Sequence, residues 1–379
     1  MSEWKKVKLG EISQYVNDKI AITATNESNY ISTDSMLKDR GGIIAPESIP
    51  SDGKVTKYQS NDILVSNIRP YFKKIWFSNR EGGCSNDVLV FRARKGIISR
   101  YLYYILSVDT FFEHMMAGAN GTKMPRGNKK LILNYSFDLP PLPTQHRIAT
   151  ILSRYDSLIE NYQKQIKLLE EAAQRLYKEW FVDLHFPGHE NTKIVDGVPE
   201  GWEKKKLVEI AELKAGGDKP EIVSAKRTNE CSVPIFSNGT TNEGLYGYTN
   251  LPVILEQSVT ISARGSVGYT VFRRTPFVPI VRLISVTPHN IYVGYIFYCL
   301  KSTTLDSNGA AQQQITIPMI RNKEITIPSK GILELFESQT EPIFNQIDIL
   351  KELIRLLTEA RDRLLPKLMS GEIKIESLK

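Results

Sequence analysis

The stretch QIKLLEEAAQRL (165–176) returns 188 positions later as LIRLLTEARDRL (353–364), and this recurrence constrains the chain more than any other feature. At the same shift Asn120-Gly121 falls on Asn308-Gly309, Asn134 on Asn322 and Leu139-Pro140 on Ile327-Pro328. Further upstream the shift widens. YLYYIL from Tyr101 meets YIFYCL from Tyr295 at 194, and WKKVKLGEI from Trp4 meets WEKKKLVEI from Trp202 at 198. The matches keep their order along the 379 residues, so the chain is a tandem duplication. The second copy is ten residues shorter, with its deletions before Asn308.

Each copy has the same grammar. Runs rich in β-branched and aromatic residues, broken by Gly, Pro and Asn, come first; DILVSNIRPYFKKIWF from Asp62 and SVTISARGSVGYTVF from Ser258 read as strands and turns. A short helical piece follows, then a proline-marked stop and a long helix. In the first long helix Ile148, Leu152, Tyr155, Ile159, Tyr162, Ile166, Leu169, Ala173, Leu176 and Trp180 recur at spacings of four and three, the seam of a coiled coil. The second seam is Phe336, Thr340, Ile343, Ile347, Leu350, Ile354, Leu357, Arg361, Leu364 and Leu368, broken only by Thr340 and Arg361. Pro143 is expected before the first helix and His185-Phe186-Pro187-Gly188 beyond its end.

The predicted architecture is α+β: two related mixed α/β domains joined by two long helices that form an antiparallel coiled coil with pseudo-two-fold symmetry. Domain one covers 1–143, the first long helix 144–185, a linker and domain two 186–329, and the second long helix 330–379. A helix of roughly 38 residues spans on the order of 57 Å. Two arrangements remain open beside the antiparallel rod: each helix packed on its own head, or pairing between chains.

Two unlike heads on a rigid spacer make a caliper. A net charge of +7 and a pI near 9.0 suit a polyanion, and duplex DNA offers half-sites about 34–36 Å apart on one face. The candidate contacts are basic, amide and hydroxyl side chains in turns. In head one they are Arg69, Tyr71, Lys73, Lys74, Lys123, Arg126, Lys129 and Lys130. In head two they are Lys214, Lys219, Arg264, Ser266, Arg273, Arg274 and the run Gln312-Gln313-Gln314. Arg pairs bidentately with guanine and Gln with adenine, whereas Lys chiefly neutralises phosphate. The RGSVG turn (264–268) reads either as a backbone approach to phosphate or as a plain hairpin turn.

Motifs for chemistry are missing. There is no GxxxxGK[ST] and no GxGxxG after a strand. His185 and His189 are separated by Pro187-Gly188, which denies them a shared helical face. Asp196 with Glu203-Lys204-Lys205 imitates a nuclease motif only loosely, since the repeated WEKKKL segment already accounts for the second part. Cys84, Cys231 and Cys299 are far apart and form no CxxC, so neither a disulfide framework nor a zinc site is indicated. No eighteen-residue apolar run occurs and the first residues lack a signal-peptide core, which sets the expectation of a cytoplasmic protein with no membrane partner.

RLYKEWFVDLHFPG from Arg175, followed by GVPEGWEKKKLVEI from Gly197, resembles the central region of the specificity subunits of type I restriction–modification systems. LPPLPTQHRIATILSRYDSLI from Leu139 and EARDRLLPKLMSGEIKI from Glu359 are similar to the start and end of that family's conserved helices. The resemblance implies a non-catalytic DNA-sequence specificity subunit in which each domain reads one half of an asymmetric bipartite duplex site. Its helices would set the spacing and dock two methyltransferase subunits, joined by restriction/translocase subunits in the full complex. S-adenosylmethionine, ATP and Mg would then be held by partner subunits, with no cofactor in this chain. Thr340 and Arg361 are the expected places for a partner helix to pack. The rival readings are a coiled-coil protein-binding scaffold without sequence-specific DNA binding, and a self-sufficient nuclease using Asp196 and Glu203.

Overall fold

The computed structural model describes residues 4–121, 123–303 and 314–373. The chain divides into two compact units, Met1–Gln163 with Glu352–Lys379, and Lys164–Lys351. Each unit holds one α+β head together with part of both long helices.

Unit 1 begins with a strand, Lys5–Lys8, paired antiparallel with Ser136–Leu139, the last strand before the first long helix. Its main sheet has the order Ser13–Tyr15, Val88–Ala93, Ile63–Ser66, Ile75–Phe77. The helix Ser99–Ser107 buries Tyr101, Leu102, Ile105 and Leu106 against that sheet, and Asp109–Ala117 adds Phe111, Phe112 and Met115 to the same core. Unit 2 repeats the plan. Glu203–Lys206 pairs with Glu324–Ile327, and the main sheet has the order Ala211–Ala215, Ile284–Pro288, Ser258–Ile261, Thr270–Arg273. The helix Val293–Ser302 covers it with Tyr295, Ile296 and Leu300.

Even single hydrogen bonds are repeated. In unit 1 the short helix Leu9–Ile12 is tied by Leu9 N to Tyr135 O (2.8 Å) and Gly10 N to Leu133 O (2.9 Å). In unit 2 Leu207 N donates to Lys323 O and Val208 N to Arg321 O, both at 2.9 Å. The second sheets differ. Unit 1 has four strands in the order Lys19–Ala21, Lys54–Tyr58, Gly82–Cys84, Tyr30–Ile31; unit 2 has three, Leu245–Thr249, Val233–Phe236, Val278–Pro279.

The first long helix runs Leu142–Tyr177 and the second Lys330–Met369. Pro143 lies inside the first turn of the former, not before it, because the first amides of a helix have no intrahelical acceptor and a missing N–H costs nothing there. A π turn, Lys178–Val182, extends the helix before Pro187. Within unit 1 Ile148, Ala149 and Leu152 share a core with Leu365 and Leu368, while Asp156 bonds Arg361 at 3.0 Å, so the two segments run antiparallel. Within unit 2 Trp180 lies against Phe336 (6.0 Å between rings) and Ala173 shares the core with Phe344 and Ile347, again antiparallel.

The two seam breaks are filled from inside each unit. Thr340 is fully buried, its hydroxyl hydrogen-bonded to Phe336 O (2.8 Å), to which it donates, and to the Tyr292 hydroxyl (3.0 Å). Arg361 is sandwiched between Asp156 and Asp362. The expectation that these positions receive a partner helix is therefore replaced: both side chains are committed to their own unit.

Candidate nucleic-acid interface

Residues 67–74 join two adjacent strands of the main sheet of unit 1. This hairpin loop carries Arg69, Tyr71, Lys73 and Lys74. Arg69 (φ 49°) and Lys73 (φ 50°) both adopt the left-handed backbone conformation and bracket a 3-10 turn, Pro70–Phe72. Such a conformation is costly for long side chains and persists only where the surroundings impose it. Here a second loop imposes it: Arg69 N donates to Pro125 O (2.8 Å), and Gly127 N to Asn67 O (3.2 Å). A Cβ at Gly127 would meet Asn67 Oδ1 at 2.8 Å and Ile132 Cδ1 at 3.0 Å, so the two loops approach closely here and a larger residue would have to displace those side chains. The segments containing Arg69 and Arg126, 57 positions apart in sequence, are thus brought side by side.

Unit 2 builds the same junction. Residues 262–269 join the equivalent strands, and Ile315 N donates to Ala263 O at 3.0 Å. The RGSVG stretch forms the hairpin turn itself, with Gly265 (φ 68°) and Gly268 (φ 81°) in the conformation that glycine tolerates. Arg264 and Ser266 are exposed at its tip, and Gln314 adjoins Ile315 as Arg126 adjoins Gly127. Gln312 and Gln313 lie outside the described residues, as do Asn308-Gly309.

Side-chain surroundings sort the candidates. Tyr71 is 46% exposed, packed edge-on against Phe72. Lys123, Lys129 and Lys130 are exposed and have no ion-pair partner among the described residues; Asn128 caps the short helix Lys129–Ile132 that carries the last two. Arg126 reaches Asp87 at 3.2 Å across an exposed surface, a pair of little net strength. Lys73 is engaged by Asp109 (2.8 Å), whose carboxyl burial pushes up but Lys73 and Arg40 hold below its ordinary range. Lys74 donates to Thr33 O (2.6 Å); burial lowers its pKa against the opposing pull of Asp34. Lys214 sits on an edge strand beside Glu212 (2.9 Å), and Lys219 is exposed beyond it.

Arg273 and Arg274 are corrected. The Arg273 side chain is 4% exposed, lies 3.6 Å from the centroid of Phe236, and donates to Thr260 Oγ1 (2.9 Å) and Glu243 O (2.6 Å). Burial lowers its pKa to about 10 although Glu243 opposes the shift. Arg274 spends its fork on Glu341 (2.7 and 2.9 Å), Asp348 (2.6 Å) and Asn345 (2.6 Å), anchoring the hairpin to the second long helix within unit 2. With side chains only 4% and 11% exposed, both guanidinium groups are turned into unit 2 and away from a base.

Sequence reasoning missed three residues at these junctions. Asn238 accepts from Ala263 N and donates to Val281 O, both at 2.7 Å, holding the hairpin of unit 2. Arg282 (φ 62°) is exposed beside that contact. Asn67 is 7% exposed, and its Oδ1, like Arg69 Nε, is buried without a hydrogen-bond partner. No periodicity marks any of them, since their role depends on contacts distant in sequence. Among the described residues no group of three or more His, Cys, Asp or Glu could hold a metal ion. The rings of His185 and His189 share no helical face, as expected, but the turn after the helix brings them to 5.3 Å. Glu203 pairs with Lys205 (2.7 Å) in its ribbon. No helix among the described residues is long and apolar enough to cross a membrane.

A family model described as the type I restriction modification DNA specificity domain matches residues 1–171 and again 199–362. The type I restriction enzyme MjaIX specificity subunit of Methanocaldococcus jannaschii is 29% identical over 311 residues, 75% of this chain and 71% of its own length. The HindI specificity subunit of Haemophilus influenzae is 23% identical over 462 aligned positions, 98% of this chain and all of its own. A crystal structure of an S subunit from M. genitalium superposes with a TM-score of 0.59 at 17% identity, covering 97% of this chain and 96% of that one, and shares the fold. The two matched repeats coincide with the two heads and the helices they feed, and the chain belongs to the type I restriction–modification family as a DNA-sequence specificity subunit.

Proposed function

We propose that each unit reads one half of an asymmetric bipartite duplex through its hairpin loop and the loop clamped beside it. The recognition domains cover 1–143 and 186–329; the long helices, 144–185 and 330–379, set the unread gap and dock two methyltransferase subunits. Restriction/translocase subunits complete the full assembly. Methyl transfer and ATP hydrolysis, with S-adenosylmethionine, ATP and Mg, belong to those partners, and this chain performs no catalytic step. The contacts in unit 1 are Arg69, Tyr71, Lys123, Arg126, Lys129 and Lys130, with Lys73 and Lys74 at the rim. In unit 2 they are Arg264, Ser266, Arg282 and the run ending at Gln314, with Lys214 and Lys219 at the edge.

The observation that carries this reading is the repeated clamp, Gly127 N to Asn67 O in one unit and Ile315 N to Ala263 O in the other. It sets differing basic and amide side chains on one framework, as two readers of different sequences require. The buried, unpaired Asn67 Oδ1 and Arg69 Nε add unmet hydrogen-bonding capacity at the same point.

Mapping of methylated adenines in cells that express this chain with its methyltransferase tests the proposal. One bipartite motif with a fixed gap is expected, and exchange of residues 1–143 for another head should change one half only. A stable complex that leaves no motif would favour the protein-binding scaffold.

A further inference from the structure

Unit 1 contains an open cleft of about 390 Å³ where its two sheets meet. Its floor is the start of the strand Val88–Ala93, and its polar walls are Tyr15, Asn17, Lys19, Thr56, Asn86 and Lys129. Two ammonium groups line it and no carboxylate does. The Lys19 ammonium is positioned by neutral acceptors only, Thr56 Oγ1 at 2.9 Å and Asn86 Oδ1 at 2.6 Å, so one N–H and the whole charge remain uncommitted. Tyr15 donates to Lys129 O (3.0 Å) and holds the second lysine at the rim.

The equivalent place in unit 2 has no such chemistry. The duplication puts Leu213, Ala215, Val281 and Ile317 where unit 1 has Tyr15, Asn17, Asn86 and Lys129. Backbone closes the space as well, with Val281 N donating to Gly217 O and Arg282 N to Gly216 O, both at 2.8 Å. Four of the six polar side chains that converge in one copy have apolar counterparts in the other, so the convergence is a property of that site, not of the framework.

We propose that this cleft is a phosphate-binding site, and that its occupant in the working complex is a backbone phosphodiester of the DNA strand read by unit 1. A cation held by neutral dipoles, with no carboxylate to neutralise it, selects an anion. The DNA source follows from position: the cleft shares Lys129 with the reading loops, and Asn86 adjoins Asp87, whose carbonyl accepts from Asn67 N and whose carboxylate meets Arg126. This rests on the function proposed above and adds a contact that fixes register without reading a base.

The test is the salt dependence of DNA binding by the complex assembled with its methyltransferase, combined with motif mapping. Lys19→Ala should flatten the slope of log K against log[salt] by about 0.9, the loss of one neutralised phosphate. Affinity should fall equally for target and unrelated duplex, the motif should be unchanged, and Lys19→Arg should restore the slope. An unchanged slope with the motif intact overturns the cleft assignment and leaves the proposed function standing; absence of any motif with the native chain overturns the proposed function itself. A thermal shift with inorganic phosphate, abolished by Lys19→Ala while the DNA slope is unaltered, would assign the cleft to free phosphate and overturn the phosphodiester.

Discussion

The most instructive contrast lies at one layer of the helix seam. In unit 1 the layer is Asp156 with Arg361, joined at 3.0 Å and 13% and 11% exposed, with the Tyr104 hydroxyl donating to the same carboxylate. The duplication places Phe344, Ala173 and Tyr298 at those positions in unit 2, where all three sit in the hydrophobic core. One backbone arrangement thus accommodates a charged layer in one copy and an apolar layer in the other. The difference teaches that the helix pairing does not depend on its chemistry at this point, so long as charges come matched or not at all.

Breaking only half of the charged layer should have the largest effect. Arg361→Ala leaves a buried carboxylate uncompensated and should cost unit 1 about 3–5 kcal/mol in urea denaturation. The double variant Asp156→Phe/Arg361→Ala, which writes the layer of unit 2 into unit 1, should recover most of that loss. A double variant as unstable as the single one would mean that the two layers are not equivalent. A second difference is Gln145, 1% exposed, which accepts from Ile98 N (3.0 Å) and donates to Pro140 O (2.9 Å), where unit 2 has the buried Leu333. Gln145→Leu removes these two bonds and a longer one to Gly96 O (3.4 Å), and should destabilise unit 1 by about 2 kcal/mol; a smaller loss than ~0.5 kcal/mol would show that water replaces the amide.

The smallest expected effect concerns pH in unit 2. Hydrogen bonds from Arg274 hold the Glu341 carboxyl below its ordinary value, and burial opposes them without winning. A depressed folded-state pKa contributes stability that is complete above the unfolded value of 4.5 and is lost as pH falls through the folded one. Denaturation midpoints measured from pH 7 to pH 3 should therefore fall more steeply in the native chain than in Arg274→Met. Parallel curves would remove the pair from the acid sensitivity.

The duplication, the two heads and the seam were legible because they rest on order and spacing, which are local properties of a sequence. Ile148, Leu152, Ile159, Ala173 and Trp180 are buried as their spacing requires. The contents of the second sheets were not legible, since strand pairing there is decided by contacts across the loop-rich region in which the copies diverge. Arg273 and Arg274 were read as DNA contacts because nothing in TVFRR reports that Phe236, Glu243 and Glu341 wait for them. Thr340 and Arg361 were misread for the same reason: their partners, Tyr292 and Asp156, are 48 and 205 positions away. The convergence of the Arg69 loop with the Arg126 loop was also invisible, although each loop had been singled out by its charge.

The charged layer has one more consequence, for sliding. An otherwise apolar seam repeats every heptad, so a pair of helices displaced by seven residues would still bury hydrocarbon against hydrocarbon. In unit 1 such a slip would bring Asp156 opposite Ile354 or Leu368 instead of Arg361, with Arg361 stranded as well. The cost, on the order of 3–5 kcal/mol, turns a self-similar interface into one with a single stop, as a polar residue in a coiled-coil core does. The spacing role proposed for the helices needs such a detent, because a ruler that slips by one division still looks like a ruler.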